Sequence, residues 1–377
     1  MLPPSRWKPA AAFVAALSLP SLISAQTWTS CNPLTQTCPP NPALGMAIDV
    51  DFTKGAVPAF VAGGGGSTTY GPDGAVFTVS RGGDAPQVAS VFFIMFGHVE
   101  VTMRAAPGAG IVSSLVLQSD DLDEIDYEWI GSDTLQVQTN YFGKGRTTTY
   151  NRGQFNPTGP ADNTATYLTY AIDWTADRIV WSVEGVAVRT LSAADAGDEY
   201  PQTPMQVKFG AWSGGDPANA PGTIQWANGP TNYAAGPFAM RVRDAKVVDY
   251  STGKSYSYGD TSGSWRSIRA EGGAVNGNLD KAGRPVVTAT AAAGPTSLSP
   301  GIPAGGIGKA TQTGWPWTRD GSTASPNPVP DGWVMTAEGK IVPAGGSAVR
   351  PPNGWVMAGP AVLLGFAVFG GGGGEDG

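Results

Sequence analysis

The densest chemistry in the chain lies in seven residues, Asp123-Glu124-Ile125-Asp126-Tyr127-Glu128-Trp129. In an extended strand successive side chains alternate between faces, so Glu124, Asp126 and Glu128 point one way while Ile125 and Tyr127 point the other. Three carboxylates in one row repel each other, and a solvated surface strand gains nothing from that arrangement. A catalytic cleft does gain. The Cα atoms of Glu124 and Glu128 lie about 13 Å apart at about 3.3 Å per residue. Two glutamates leaning together close that gap toward the roughly 5–5.5 Å that supports double displacement at a sugar's anomeric carbon. Asp126 between them shares a proton or hydrogen bond with Glu124, and its charge helps set the protonation of both. Taken alone, the string also suits a calcium-binding acidic strand or a plain exposed edge.

The elements that must hold this row are strands. Alternating or β-branched runs occur at Met46–Phe52, Ala75–Val79, Val88–Met103, Ile111–Gln118, Leu135–Tyr141, Thr166–Asp173, Ile179–Val183, Met205–Trp212 and Phe238–Tyr250. Breakers such as Gly71-Pro72-Asp73-Gly74 and Asn156-Pro157 separate them. No stretch sustains an apolar helical face over three turns, and no propeller or solenoid period recurs. The spacing predicts an all-β fold, a two-sheet antiparallel sandwich of about 230 residues.

Composition agrees with an exported β-protein. Glycine (53) and proline (32) together account for 85 of 377 residues, and charged residues for only 14%. The formal net charge of −7 leaves no basic surplus for nucleic acid. A hydrophobic fraction of 41%, with 12 Trp, 11 Tyr and 13 Phe, is ample for a core. The lone histidine, His98, has no imidazole or thiol partner for a triad or a zinc site and reads as a satisfied strand residue. Gly63–Gly66 lacks the strand, lysine and helix of a phosphate loop and reads as a flexible connection. No metal or cofactor is called for.

Residues 1–25 read as a secretory signal. Arg6 and Lys8 precede an apolar run from Ala10 to Leu19, Pro20 breaks it, and Ile23-Ser24-Ala25 forms a small-residue cleavage site. Export makes Cys31 and Cys38 a disulfide closing a short loop, with two free thiols as the alternative. From Gly272 onward Gly, Ala, Pro, Ser and Thr dominate without period, which predicts a disordered linker over 272–346 and a disordered C-terminal tail. Pro330–Met335 and Pro352–Met357 repeat one another within it. Trp355–Phe369 is apolar but short for a membrane helix. With Gly345-Gly346-Ser347 before it, 347–377 has the layout of a GPI-anchor signal, although Gly370–Gly377 ends polar where such signals end apolar. Surface anchoring and full release both stay open.

Several blocks in order point to a known family. DEIDYEWIG (Asp123–Gly131) resembles the signature of glycoside hydrolase family 16. VQTNYFGKG (Val137–Gly145), Thr169–Trp174 with Ile179-Val180-Trp181, Met205–Asn228, and Gly236–Phe238 through Asp249–Ser251 resemble the fungal Crh-type cell-wall transglycosylases. The match covers about residues 26–270 and places the domain at 26–271. The resemblance implies a concanavalin-like β-jelly-roll and a retaining double displacement. Glu124 would be the nucleophile, Glu128 the proton donor and general base, and Asp126 the supporting carboxylate. Lys208, Trp212 and Thr223 would be donor-site positions, with Lys208 standing where arginine is common, which puts a bidentate contact in doubt. Trp212 offers a stacking face, and Gln138, Asn140 and Tyr141 would continue the cleft on a neighbouring strand. The resemblance further implies a monomer that cleaves a chitin donor and passes it to a β-glucan acceptor, secreted to the cell wall. A non-catalytic lectin on the same fold and a secreted β-glucan hydrolase are the competing readings.

Overall fold

The computed structural model describes residues 29–146 and 152–279, together with the backbone of three short strands, Val286–Ala289, Trp333–Met335 and Ile341–Pro343. Residues 1–25, read as a secretory signal, and 347–377, read as an anchor signal, lie outside the described residues.

Period-two alternation builds the body. Gly97–Arg104 is the plainest case, with Val99, Val101 and Met103 fully buried and the residues between them part-exposed. Two sheets form. One runs in the order Gln154–Pro157, Gln136–Phe142, Glu124–Ile130, Ile111–Ser119, Met205–Ser213, Gln87–Ile94, Phe60–Gly63. The other runs Val186–Ser192, Arg178–Val183, Leu168–Trp174, Gly97–Arg104, Phe238–Asp249, Ala47–Asp51, and Gly74–Val79 pairs with the first half of Phe238–Asp249. The sheets face each other through aromatic rings. Trp129 meets Tyr170 edge-on at 4.6 Å, and Phe209 meets Phe77 at 5.9 Å, each pair spanning the two sheets. This is the expected antiparallel jelly-roll sandwich.

The differences from the sequence reading have local causes. Val88–Met103, read as one run, is two strands in different sheets. The chain turns at Met95-Phe96, where Phe96 takes φ +58° and its ring packs on Trp174. Asn156-Pro157, read as a break, lies inside the edge strand Gln154–Pro157, where a missing N–H costs no ladder bond. Gly63–Gly66, read as flexible, is a tight crossing between the sheets, with the Ala85 N–H donating to Gly65 O at 2.8 Å. The expected linker also begins late. Asn278 is 3% exposed, and its amide donates to Gly45 O and Ser251 O at 2.9 Å. Beyond it, Val286–Ala289 pairs in parallel with Ala47–Asp51, and Trp333–Met335 pairs with Ile341–Pro343; the rest of the expected linker lies outside the described residues. Cys31 and Cys38 form the disulfide, with Cα atoms 5.8 Å apart. His98 sits between Asp173 and Glu100, at 3.6 and 3.7 Å, as a surface pairing.

Candidate active site

The strand Glu124–Ile130 is held from behind by its inward residues. Ile125, Tyr127 and Trp129 are fully buried. The Tyr127 hydroxyl donates to Ser182 O at 2.9 Å and Ala171 O at 3.2 Å on the opposite sheet, and the Trp181 indole N–H donates to Asp126 O at 3.1 Å. With that face fixed, alternation turns Glu124, Asp126 and Glu128 onto the outer face of their sheet.

Antiparallel register then assembles rows across the strands. Glu124 lies between Phe142 and Gln118, Asp126 between Asn140 and Val116, and Glu128 between Gln138 and Ser114. One strand further, Lys208 joins the Asp126 row, Gly210 the Glu128 row and Trp212 the Ile130 row. The structure therefore brings Glu124, Asp126, Glu128, Gln138, Asn140, Lys208 and Trp212 to one face. It does not bring Tyr141 there. Tyr141 pairs with Ile125, is 8% exposed, and turns into the sandwich, where the Arg152 and Arg189 guanidinium groups each lie 5.6 Å from its ring. The reason is parity, since 138 and 140 share a face and 141 takes the other.

Burial and crowding shift the carboxyls. Glu124 is 7% and Asp126 2% exposed. Burial, then the charges of Glu128 and Glu124 and a hydrogen bond with Glu124, push Asp126 well above the usual carboxylate range, and Arg189 behind it only partly opposes this. Glu128 is pushed up to about 8, first by burial and then by the Glu124 charge. A hydroxyl opposes that rise, since Ser114 Oγ donates to Glu128 Oε1 at 3.3 Å while receiving the Trp212 indole N–H at 3.2 Å. The row therefore favours a proton on Glu128 at neutral pH, and Asp126 keeps one more readily than an ordinary carboxyl does. Burial pulls Lys208 down to about 8 against the charges of Glu124 and Asp120, and its ammonium donates to Gln118 Oε1.

Trp212 differs from its expected role as an open stacking face. It is 1% exposed and lies near-parallel to Trp226 at 6.0 Å, because the short helix Pro221–Trp226, started by proline at its first turn, folds back over it. Thr223 sits on that helix, three residues before Trp226. The Trp226 indole N–H donates to Gln138 Oε1 at 3.2 Å, joining the helix to the far side of the carboxylate row. Ser114, Gln118 and Trp226 went unmarked in the sequence. The available signal for Ser114 and Gln118 was their shared parity on the strand Ile111–Ser119, which puts both on one face with Val112 and Val116.

Among the described residues, no cluster of His, Cys, Asp or Glu could hold a metal ion, and no helix is long and apolar enough to cross a membrane.

The chain is similar to known proteins. Residues 46–228 match the model of glycosyl hydrolases family 16. Crh-like protein 4 of Botryotinia fuckeliana is 54% identical over 358 residues, spanning 92% of this chain and 94% of that protein. Crh-like protein 4 of Aspergillus fumigatus is 49% identical over 350 residues, spanning 90% and 77%. The solved structure of Crh5 transglycosylase in complex with NAG is 51% identical with a TM-score of 0.62, covering 64% of this chain and all of that one. With relatives so similar over three quarters or more of their length, and with the carboxylate row on one face of the expected sandwich, the chain belongs to glycosyl hydrolase family 16 and, within it, to the Crh-like proteins.

Proposed function

We propose that this protein is a retaining transglycosylase of the cell wall that cleaves chitin and transfers the released chain to a β-glucan hydroxyl. One observation carries the mechanism: Glu124, Asp126 and Glu128 share one face, with Glu128 pushed up to about 8 and Asp126 hydrogen-bonded to Glu124. In this reading protonated Asp126 donates to Glu124 and keeps it a carboxylate, the form that attacks an anomeric carbon. Glu128 holds a proton at neutral pH and gives it to the departing sugar oxygen. As a carboxylate it then takes the proton of the acceptor hydroxyl. The chitin preference is supported by the family and by the NAG bound to the related Crh5 structure. Secretion through residues 1–25 and attachment through 347–377 belong to the same proposal.

The test uses purified protein with chitin oligomers and a fluorescent β-glucan oligomer, reading labelled hybrid chains. Glu124→Gln should abolish activity on every donor. Glu128→Ala should lose most activity on chitin oligomers yet keep a fast first step with a donor whose leaving group needs no proton, and azide should then release the trapped intermediate. Rescue at 124 with none at 128 would exchange the two roles. Normal transfer by both variants would remove Glu124 and Glu128 from the mechanism, and wild-type protein that binds chitin without cleaving or transferring it would restore the lectin reading.

A further inference from the structure

Four large apolar side chains are left exposed among the described residues, and one is aromatic: Phe155, at 44% exposure. Its strand, Gln154–Pro157, forms the edge of the sheet that carries the carboxylates. Phe155 pairs with Gln138, and Gln138 pairs with Glu128. All three therefore stand in one row on one face, with Phe155 two strand spacings, about 10 Å, from Glu128. Its neighbour Asn156 turns the other way and is 2% exposed, its amide donating to Thr139 Oγ1 at 2.9 Å and to Gln154 O at 2.8 Å. The edge strand is thus anchored through its inward residue, and the phenyl ring is left facing out over the carboxylate face.

The residue between Phe155 and Glu128 is also fixed. Gln138 accepts the Trp226 indole N–H, and a Cβ at Gly153 would come within 3.0 Å of its amide. The backbone at 153 therefore lies close against Gln138. The opposite side of Glu128 is occupied differently. Lys208 and Trp212 lie on Met205–Ser213, two strands away in the other direction. If the donor chain occupies that side, the side of Gln138 and Phe155 receives the incoming sugar.

We propose that Phe155 is the acceptor-side stacking platform, holding a pyranose ring of the β-glucan acceptor so that its hydroxyl reaches Glu128. The chemistry fits a β-linked glucose chain, whose equatorial hydroxyls leave both ring faces apolar, while the rim amides of Gln138 and Asn140 suit the hydroxyls. In the step served, the acceptor O–H gives its proton to the Glu128 carboxylate. Its oxygen bonds to the anomeric carbon as the bond from that carbon to Glu124 breaks, leaving Glu124 as a carboxylate. A ring held in place there competes with water for the same intermediate, so Phe155 sets the ratio of transfer to hydrolysis. This rests on the transfer reading above.

The experiment compares the full chain with Phe155→Ala and Phe155→Trp, using chitin oligomers with a fluorescent β-glucan oligosaccharide at varied concentration. Phe155→Ala should raise the acceptor KM about tenfold, equivalent to about 1.4 kcal/mol, and lower the transfer-to-hydrolysis ratio to match. Phe155→Trp should restore both, and the unfolding midpoints of all three proteins should agree. Wild-type transfer with an unchanged acceptor KM in Phe155→Ala overturns the role of Phe155 alone. So does a fall in transfer that follows a parallel fall in chitin cleavage. Wild-type protein that cleaves chitin without forming hybrid chains overturns the transfer reading itself, and this role with it.

Discussion

Ser114 shows how a single hydroxyl can set the working pH of the carboxylate row. It receives the Trp212 N–H and donates to Glu128, so it stabilises the ionised form of that carboxyl. Removing it raises the Glu128 pKa further above about 8. Ser114→Ala should therefore move the alkaline limb of the cleavage pH profile upward by roughly half a unit to one unit, equivalent to one hydrogen bond of about 1 kcal/mol. The same change leaves less carboxylate to accept the acceptor proton near neutral pH, so transfer should slow there while donor cleavage holds. Ser114→Thr keeps a hydroxyl and should keep the wild-type profile. An alkaline limb that does not move in Ser114→Ala would remove Ser114 from this role.

At the scale of elements, strand position is decided by contacts far from the carboxylates. The turn at Gly71–Gly74 joins Ser67–Gly71 to Gly74–Val79, with Gly71 and Gly74 paired across it. Gly74 takes φ +94°, and a Cβ there would sit 2.0 Å from Val242 O on the adjacent strand Phe238–Asp249. Neither the dihedral nor the space accepts alanine. Gly74→Ala should lower stability by about 2 kcal/mol or more, read as a clear drop in the midpoint of thermal unfolding. This turn belongs to the sheet that does not carry the row, so activity per folded molecule at low temperature should persist. An unchanged midpoint would mean that the two strands separate at no cost.

For the whole molecule, the main electrostatic feature is the number of carboxyls taken out of water. Burial pushes Glu128 and Asp123 up to about 8, Asp249 up to about 7 and Asp120 up to about 6. In the unfolded chain each ionises near 4. Between those limits the native state binds more protons than the unfolded state, so stability falls as pH rises. The contribution is whole below about pH 4 and is lost progressively as pH climbs through about 6 to 8. The unfolding midpoint should therefore decline from about pH 5 to pH 8. Glu128→Gln should flatten the slope by up to about 1.4 kcal/mol per pH unit, the share of one proton. A midpoint that rises across this range would show that these groups are ionised in the folded protein.

The sequence by itself determined the strand content, the sandwich, and the face shared by Glu124, Asp126 and Glu128, because alternation is a local property that needs no partner strand. The family resemblance also set Gln138, Asn140 and Tyr141 beside the row; parity separates Tyr141 from the other two, and only its pairing with Ile125 shows that it takes the inner face. What crosses the sheet was out of reach. Ser114 and Phe155 lie 14 and 27 residues from Glu128 in the chain, and register alone places them in its row; Lys208, 80 residues away, was marked only through the family resemblance, and register sets it beside that row. The covering of Trp212 depends on a helix that folds back after its strand has ended. The upward shifts of Asp126 and Glu128 come from burial, which is a property of the assembled sandwich and not of any one segment. Local alternation is written along the chain, whereas register, coverage and desolvation arise only when distant strands meet.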